Sequence, residues 1–231
     1  MVDRKNLVSV LLCTYNSEST IVKSISSLID QTYNEIEILI LDDASKDNSY
    51  NICKKYEKEF NNIKLYRNSV NLGLTKSLNV LLKEAKGSYI ARQDADDFSH
   101  VLRIEKQIEF LNSSNLDACS TRAKVIDSNR VVPNLSFFLP PKLTIKYKNP
   151  FIHGSLLIKS KILKKINNYD ENFYYAQDYK LMKDLLINGY KLGIMKQPLY
   201  YLNMDNNIST NFSEEQNYYA RCVRKNLIPD R

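Results

Sequence analysis

A chain of 231 residues, 43% hydrophobic and 26% charged, is long enough to bury a sizeable core and has the composition of an ordinary soluble globular protein. A net charge of +7 points to a phosphate-bearing partner, a nucleotide or an anionic lipid, and the lack of basic–aromatic clustering argues against nucleic acid. Four scattered cysteines with no Cys-x-x-Cys pair argue against a zinc site or disulfide framework. No apolar run nears the ~20 residues of a membrane span, and Met1–Asn6 does not read as a signal peptide, so a cytoplasmic location with at most peripheral membrane contact is expected.

In chain order, Leu7–Cys13 is a nearly continuous apolar run that predicts a buried strand. Ser17–Asp30 follows as a helix with Ile21, Ile25 and Leu28 on one face. Ile36–Leu41 predicts a second strand, and Asp47 is the expected N-cap of the next helix. A short strand at Ile63–Tyr66 and a helix from Leu74, closed by Gly87, lead to a strand at Tyr89–Arg92. Beyond it come a helix over Leu102–Asn112, a strand over Asp117–Ile126 and a proline-rich loop or flap over residues 133–150. A strand over Ile152–Ile158, a short helix to Ile166, a helix over Gln177–Asn188 and an extended Leu192–Tyr201 complete the pattern. Apolar strands alternating with amphipathic helices predict an α/β fold with a mostly parallel sheet and helices on both faces.

In such sheets ligands bind beyond the carboxyl ends of the strands. Three of those ends carry polar clusters: Thr14-Tyr15-Asn16, Asp42-Asp43, and Asp94-Ala95-Asp96-Asp97 within "ARQDADDFSH". All three belong on one rim. Neither a Gly-x-Gly-x-x-Gly turn nor a Gly-x4-Gly-Lys-Ser/Thr loop is present, so glycine-loop amides do not hold a phosphate. A divalent cation on paired carboxylates is the alternative holder, since an ion both relieves the carboxylate repulsion and clamps a diphosphate. Taken alone, an Asp-x-Asp is as well explained by a solvated turn.

The stretches "VSVLLCTYNSESTIVKSISSLIDQTYNEIEILILDDASKDNS", "NLGLTKSLNVLLKEAKGSYIARQDADDFSHVLRIEKQIEFL" and "IHGSLLIKSKILKKINNYDENFYYAQDYKLMKDLLINGYKL" resemble family-2 glycosyltransferases, over about residues 7–202 and in order. The resemblance implies a GT-A fold in one catalytic domain. About residues 1–100 form its nucleotide-sugar half, about 101–210 its acceptor half, and 211–231 a basic tail. It implies an inverting, metal-dependent transferase of the kind that builds bacterial surface polysaccharide and lipopolysaccharide. The donor would be a nucleotide sugar, UDP-linked, and the acceptor a glycan or lipid-linked glycan. Tyr15 would pack on the base, with Thr14, Asn16 and Glu18 beside the nucleotide; Asp42 would accept a hydrogen bond from the base. Asp94 would serve the ribose or the metal, with Ala95 between it and Asp96, the ligand to Mn2+ or Mg2+. Asp43 and Asp97 would be structural, Asp43 tying down the loop into the next helix. Lys76 and Arg92 would contact phosphate or base. Asp178 would be the general base, and His153 and Gln177 would lie near the donor sugar or the acceptor.

Five residues in three places depart from the family pattern. Gln177 stands where Glu is common, Leu202 and Met204 near a usual Arg and His, and Asn167-Asn168 where a Gly-Gly is usual. These departures keep a nucleotide-sugar-binding protein without turnover as an alternative, beside a polyprenyl-phosphate sugar transferase on the same fold. Lys142–Ile166 holds seven lysines and no acid. With the tail residues Arg221, Arg224, Lys225 and Arg231, this region is the expected docking surface for an anionic membrane.

Overall fold

The computed structural model describes residues 6–204 and 212–230. The N-terminal residues read above, the 205–209 part of the stretch lacking the usual Arg and His, and Arg231 lie outside them.

The strands among the described residues form one sheet in the order Ile63–Arg67, Ile36–Asp42, Val8–Thr14, Tyr89–Asp94, Leu157–Lys159, Ala118–Val125, Leu192–Leu202 and Phe98–Ser99, with Val131–Val132 paired to Ala118–Val125. The first half follows its periodicity. β1 (Val8–Thr14), β2 (Ile36–Asp42), β3 (Ile63–Arg67) and β4 (Tyr89–Asp94) are mutually parallel. Val8, Val10 and Leu12 of β1 pack on one side with Ile21 and Ile25 of α1 (Ile21–Ile29), Cys53 of α2 (Ser49–Glu59) and Ile104 of α4 (Arg103–Ser113). Leu11 packs on the other side with Leu78 and Leu81 of α3 (Leu74–Glu84). Each fully buried Leu or Ile contributes about 1.5–3 kcal/mol, so this two-sided burial fixes the register of β1.

Local ends differ from expectation where side chains compete with the helix. Residues 17–20 form a turn, and α1 begins only at Ile21. Asp47 sits one residue before the N-cap of α2. Its Oδ1 accepts the Ser49 N–H (3.0 Å) while its Oδ2 accepts the Glu18 N–H (3.0 Å), so it caps the helix and joins two loops at once.

The second half departs more. β6 (Ala118–Val125) and β9 (Leu192–Leu202) are parallel, but β8 (Leu157–Lys159) runs antiparallel to β4 and β6. The short β5 (Phe98–Ser99) and β7 (Val131–Val132) were not expected. Residues 153–155 form a 3-10 turn ahead of β8, and the 133–150 stretch contains a 3-10 turn (Leu135–Phe138) and the one-turn α5 (Pro141–Thr144). β8 carries the chain from the carboxyl rim to the opposite end, where Lys159 faces Tyr89 and α6 (Ser160–Lys165) begins. The single basic surface expected over Lys142–Lys165 is therefore two patches, one at each end of the sheet.

The basic tail is a helix, α8 (Ser213–Lys225), packed against α7 (Gln177–Ile187). Lys183 of α7 fastens it: Nζ donates to the carbonyls of Val223 (2.5 Å) and Arg224 (3.1 Å) and to Asn226 Oδ1 (2.7 Å). These are C-terminal groups that a helix leaves unsatisfied and that favour a cation. Lys183→Met is expected to lower stability by about 1–3 kcal/mol in urea unfolding, because it strands those acceptors. An unchanged midpoint would mean water replaces the ammonium at no cost. No helix among the described residues is long and apolar enough to cross a membrane.

Candidate active site

The parallel register brings the three polar strand ends together: Thr14 lies opposite Asp42, and Cys13 opposite Asp94. Asp42 is fully buried. Its Oδ2 pairs with Arg67 Nε (3.1 Å) and accepts the Ser45 N–H (3.2 Å), whereas the buried Oδ1 and the Thr14 hydroxyl have no partner among the described residues. A buried carboxylate oxygen left unsatisfied costs stability unless a ligand supplies the donor. Arg67 lies opposite Asp42 in the β2–β3 register, with its guanidinium 4.2 Å from the Tyr50 ring. Sequence reading missed it; the basic residue ending β3 was the available signal. Tyr15, 44% exposed, stands on the same rim.

The neighbours of Tyr15 are engaged in holding loops. Asn16, in left-handed backbone (φ 49°), accepts the Lys46 N–H on its Oδ1 (2.8 Å), and its own N–H donates to Ser45 Oγ (3.0 Å). Glu18 Oε2 accepts the Asn48 N–H (2.9 Å). The β1–α1 loop is thereby clasped to the β2–α2 loop. Asp43 accepts the N–H groups of Leu72 (2.9 Å) and Gly73 (2.8 Å), so the loop it ties down leads into α3, not α2. Lys76 is exposed on the first turn of α3.

Beneath the acidic knot lie two fully buried guanidiniums, Arg92 and Arg103. Arg92 Nη2 pairs with Asp94 Oδ1 (2.5 Å), and its Nη1 donates to the Leu11 carbonyl (3.0 Å). Arg92 thus lies in the core and holds a rim carboxylate from beneath rather than projecting from the rim itself. Arg103 lies 5.5 Å from the Tyr200 ring and reaches the Gly154 carbonyl (3.4 Å); burial pushes its pKa down to about 10. The Asp94 N–H donates to Tyr200 Oη (3.1 Å), and the Asp97 N–H closes the turn onto the Asp94 carbonyl (3.3 Å). Asp97 Oδ1 accepts the Asn203 N–H (2.7 Å), which ties the turn to the end of β9. Gly154 is confined against this knot: a β-carbon there would meet the Tyr200 hydroxyl and Asp94 Oδ2.

Asp96, beside the buried Ala95, is pushed up to about 6 by burial and then by the Asp94 charge. Asp97 is raised by burial, then by Asp94 and Asp96. Carboxylates crowded this way favour a cation. Among the described residues no group of three or more His, Cys, Asp or Glu side chains is arranged to hold a metal. Asp96 with the Asp94 oxygen not used by Arg92 fits an ion that takes its remaining ligands from water and phosphate, as Mg2+ does.

Asp178 stands in the first turn of α7, after Ala176 in left-handed backbone (φ 53°). Its Oδ2 accepts from Asn149 Nδ2 (2.8 Å), and Asn149 Oδ1 accepts the Phe151 N–H (3.0 Å), which fixes the amide with its NH2 toward the acid. Burial raises the Asp178 pKa; the Tyr179 N–H and then Asn149 oppose that, and the Asp94 charge reaches it from the facing rim. Gln177, part-buried, opens the same helix. His153 Nε2 shares a hydrogen bond with Tyr169 Oη (2.8 Å), and burial, then Arg92, holds the imidazole neutral. Sequence reading also missed Asn149, Tyr169 and Tyr200, because nothing local distinguishes them.

The acidic strand ends and a part-buried, oriented carboxylate thus lie within electrostatic reach of each other. The family described as Glycosyl transferase family 2 matches residues 9–182. A UDP-Glc:alpha-D-GlcNAc-diphosphoundecaprenol beta-1,3-glucosyltransferase of Escherichia coli, WfgD, is 32% identical over 90% of this chain and 82% of its own length. Staphylococcus aureus TarS 1-349 in complex with UDP-GlcNAc superposes with a TM-score of 0.79 at 23% identity, covering 94% of this chain and 65% of that one. The mannosyltransferase PcManGT of Pyrobaculum calidifontis, in complex with GDP-Man and Mn2+, superposes with a TM-score of 0.75 at 17% identity, covering 97% and 66%. These likenesses establish the GT-A fold, and on the extent of the family match the chain is a glycosyltransferase that belongs to glycosyl transferase family 2.

Proposed function

We propose that this glycosyltransferase moves a sugar from a UDP-sugar to a glycan acceptor, lipid-linked, with inversion at the anomeric carbon, in surface polysaccharide synthesis at the cytoplasmic membrane face. The observation that carries the donor assignment is the buried Asp42 Oδ1, without a partner among the described residues, beside the Arg67 guanidinium. Uracil offers an N–H flanked by two carbonyls, which an acceptor next to a cationic donor matches. Cytosine has no N–H at that ring position. The ring of Tyr15 supplies a stacking face. The UDP-GlcNAc held by TarS and the lipid-linked acceptor in the name of WfgD support the donor and acceptor classes.

Asp96 and Asp94 would hold Mn2+ or Mg2+, and a cation there supplies positive charge to the diphosphate. The remaining chemistry belongs to the chain. Asp178, fixed through Oδ2 by Asn149, presents its other oxygen to the acceptor hydroxyl and takes its proton as the new C–O bond forms. The bond to the diphosphate breaks on the opposite face, its electron pair leaves with UDP, and the anomeric centre inverts.

A thermal-shift and turnover panel of UDP, CDP and GDP sugars, with Mn2+ or with EDTA, tests this reading. UDP sugars are expected to stabilise the protein most and to release UDP only with the metal. The stabilisation by Mn2+ should grow as pH rises. Asp96 and Asp97 are raised, so the folded state holds protons that the unfolded chain has lost above the ordinary carboxylate range. Metal-free stability therefore falls as pH climbs through about 6, where the ion compensates. A preference for CDP or GDP sugars would overturn the donor assignment, and tight UDP binding without turnover on a broad acceptor panel would leave a binding protein.

A further inference from the structure

The segment between β7 and the 153–155 turn is held at its inner side at three points. Arg122 Nε donates to the Pro133 carbonyl (3.1 Å), Tyr179 Oη to the Ile145 carbonyl (2.7 Å), and Asn149 to Asp178 (2.8 Å). Thr144 and Ile145 point inward and are buried. The outer side presents Leu135 (80% exposed), Phe138 (72%) and Tyr147 (71%), with Leu143 half-exposed among them. Lys142, Lys146 and Lys148 are exposed on the same stretch, and no acidic residue occurs between Asp127 and Asp170. An apolar group this exposed on an anchored segment marks an interaction surface.

We infer that residues 135–148 are the membrane-docking face of the protein, with leucine and phenylalanine side chains entering the acyl boundary of an anionic bilayer and the three lysines on its phosphates. Charge complementarity selects this occupant. Lysines in a stretch with no acid of its own favour anions, the apolar side chains need hydrocarbon, and an anionic leaflet supplies both at adjacent depths. The face adjoins the Asn149–Asp178 pair, since Asn149 directly follows it. The lysines of α6 lie at the other end of the sheet and take no part. This goes beyond the transferase reading and does not depend on it.

Co-sedimentation of the full chain with phosphatidylcholine vesicles, with and without phosphatidylglycerol and without nucleotide sugar, tests it. Binding is expected only with phosphatidylglycerol. The triple change Lys142→Gln, Lys146→Gln, Lys148→Gln should weaken it on the order of a hundredfold, as three surface lysines lose their attraction to anionic lipid. Phe138→Ser with Leu143→Ser should weaken it at least about tenfold with an unchanged melting temperature, since both side chains are already exposed. Changing Lys161, Lys164 and Lys165 to Gln should leave it intact. Equal binding by the Lys142 and Lys161 triple variants would overturn the inference. So would light scattering that shows a dimer dispersed by Phe138→Ser with Leu143→Ser, which would make a second copy the occupant. Either result leaves the UDP-sugar panel untouched.

Discussion

Replacing Asp178 with asparagine is expected to lower turnover by about 10²–10⁴-fold, with little change in the affinity for UDP. The amide keeps the shape of the side chain but cannot take a proton. Asp178 belongs to the first turn of α7, whereas Asp42 and Arg67 end β2 and β3, so base recognition should survive. The pH profile separates catalysis from mere support. Burial raises the Asp178 pKa, and Asn149 works against that rise by donating to the ionised form. The base is active only when ionised, so activity falls as pH drops through its raised pKa. Asn149→Ala removes a donor that favours the carboxylate and should move this acid limb to higher pH, with the plateau rate less affected than in Asp178→Asn. A limb that does not move would reduce Asn149 to a packing residue. Asp178→Asn with full turnover would transfer the base role to another group.

Arg92→Met is expected to cost about 3 kcal/mol, near the lower end for breaking a buried pair because Asp94 keeps about a third of its side chain exposed. In a chain of this size that is a fall of about 6–12 °C in melting temperature. The cost has two sources. Asp94 loses its 2.5 Å partner, and the Leu11 carbonyl loses its 3.0 Å donor in the core of β1. Asp94→Asn in the same protein should recover part of the loss, since it removes the stranded charge and eases the repulsion on Asp96 and Asp97. If the double variant is no more stable than Arg92→Met alone, the carbonyl contact, not the ion pair, is what Arg92 contributes.

The acidic rim was legible because strand polarity is a local property. Apolar runs of strand length joined by amphipathic helices must be parallel, and parallel strands put Thr14, Asp42 and Asp94 at one edge. Asp97 could be assigned to the turn for a similar reason, as its N–H reaches back only three residues to Asp94. The expected order in the second half did not survive as well. β8 is three residues long and reads like any other apolar run, yet its antiparallel direction splits the lysines into separate patches.

Which carboxylate oxygens are occupied by the protein and which are free for a ligand is a long-range matter. Arg67 meets Asp42 across a strand pair, Tyr200 meets Asp94 across 106 positions, and Asn149 meets Asp178 across 29. Hydrophobic period reports which face of an element is buried, not which distant side chain will lie against it. The amino-acid order by itself sufficed for the class of fold and for the rim of polar strand ends. Sheet order and packing settled that Arg92 is a counter-charge within the core, that Asn16 and Glu18 clasp loops, and that one Asp42 oxygen remains open. Those outcomes depend on the pairing of strands far apart in the chain, which is set by burying two apolar faces at once.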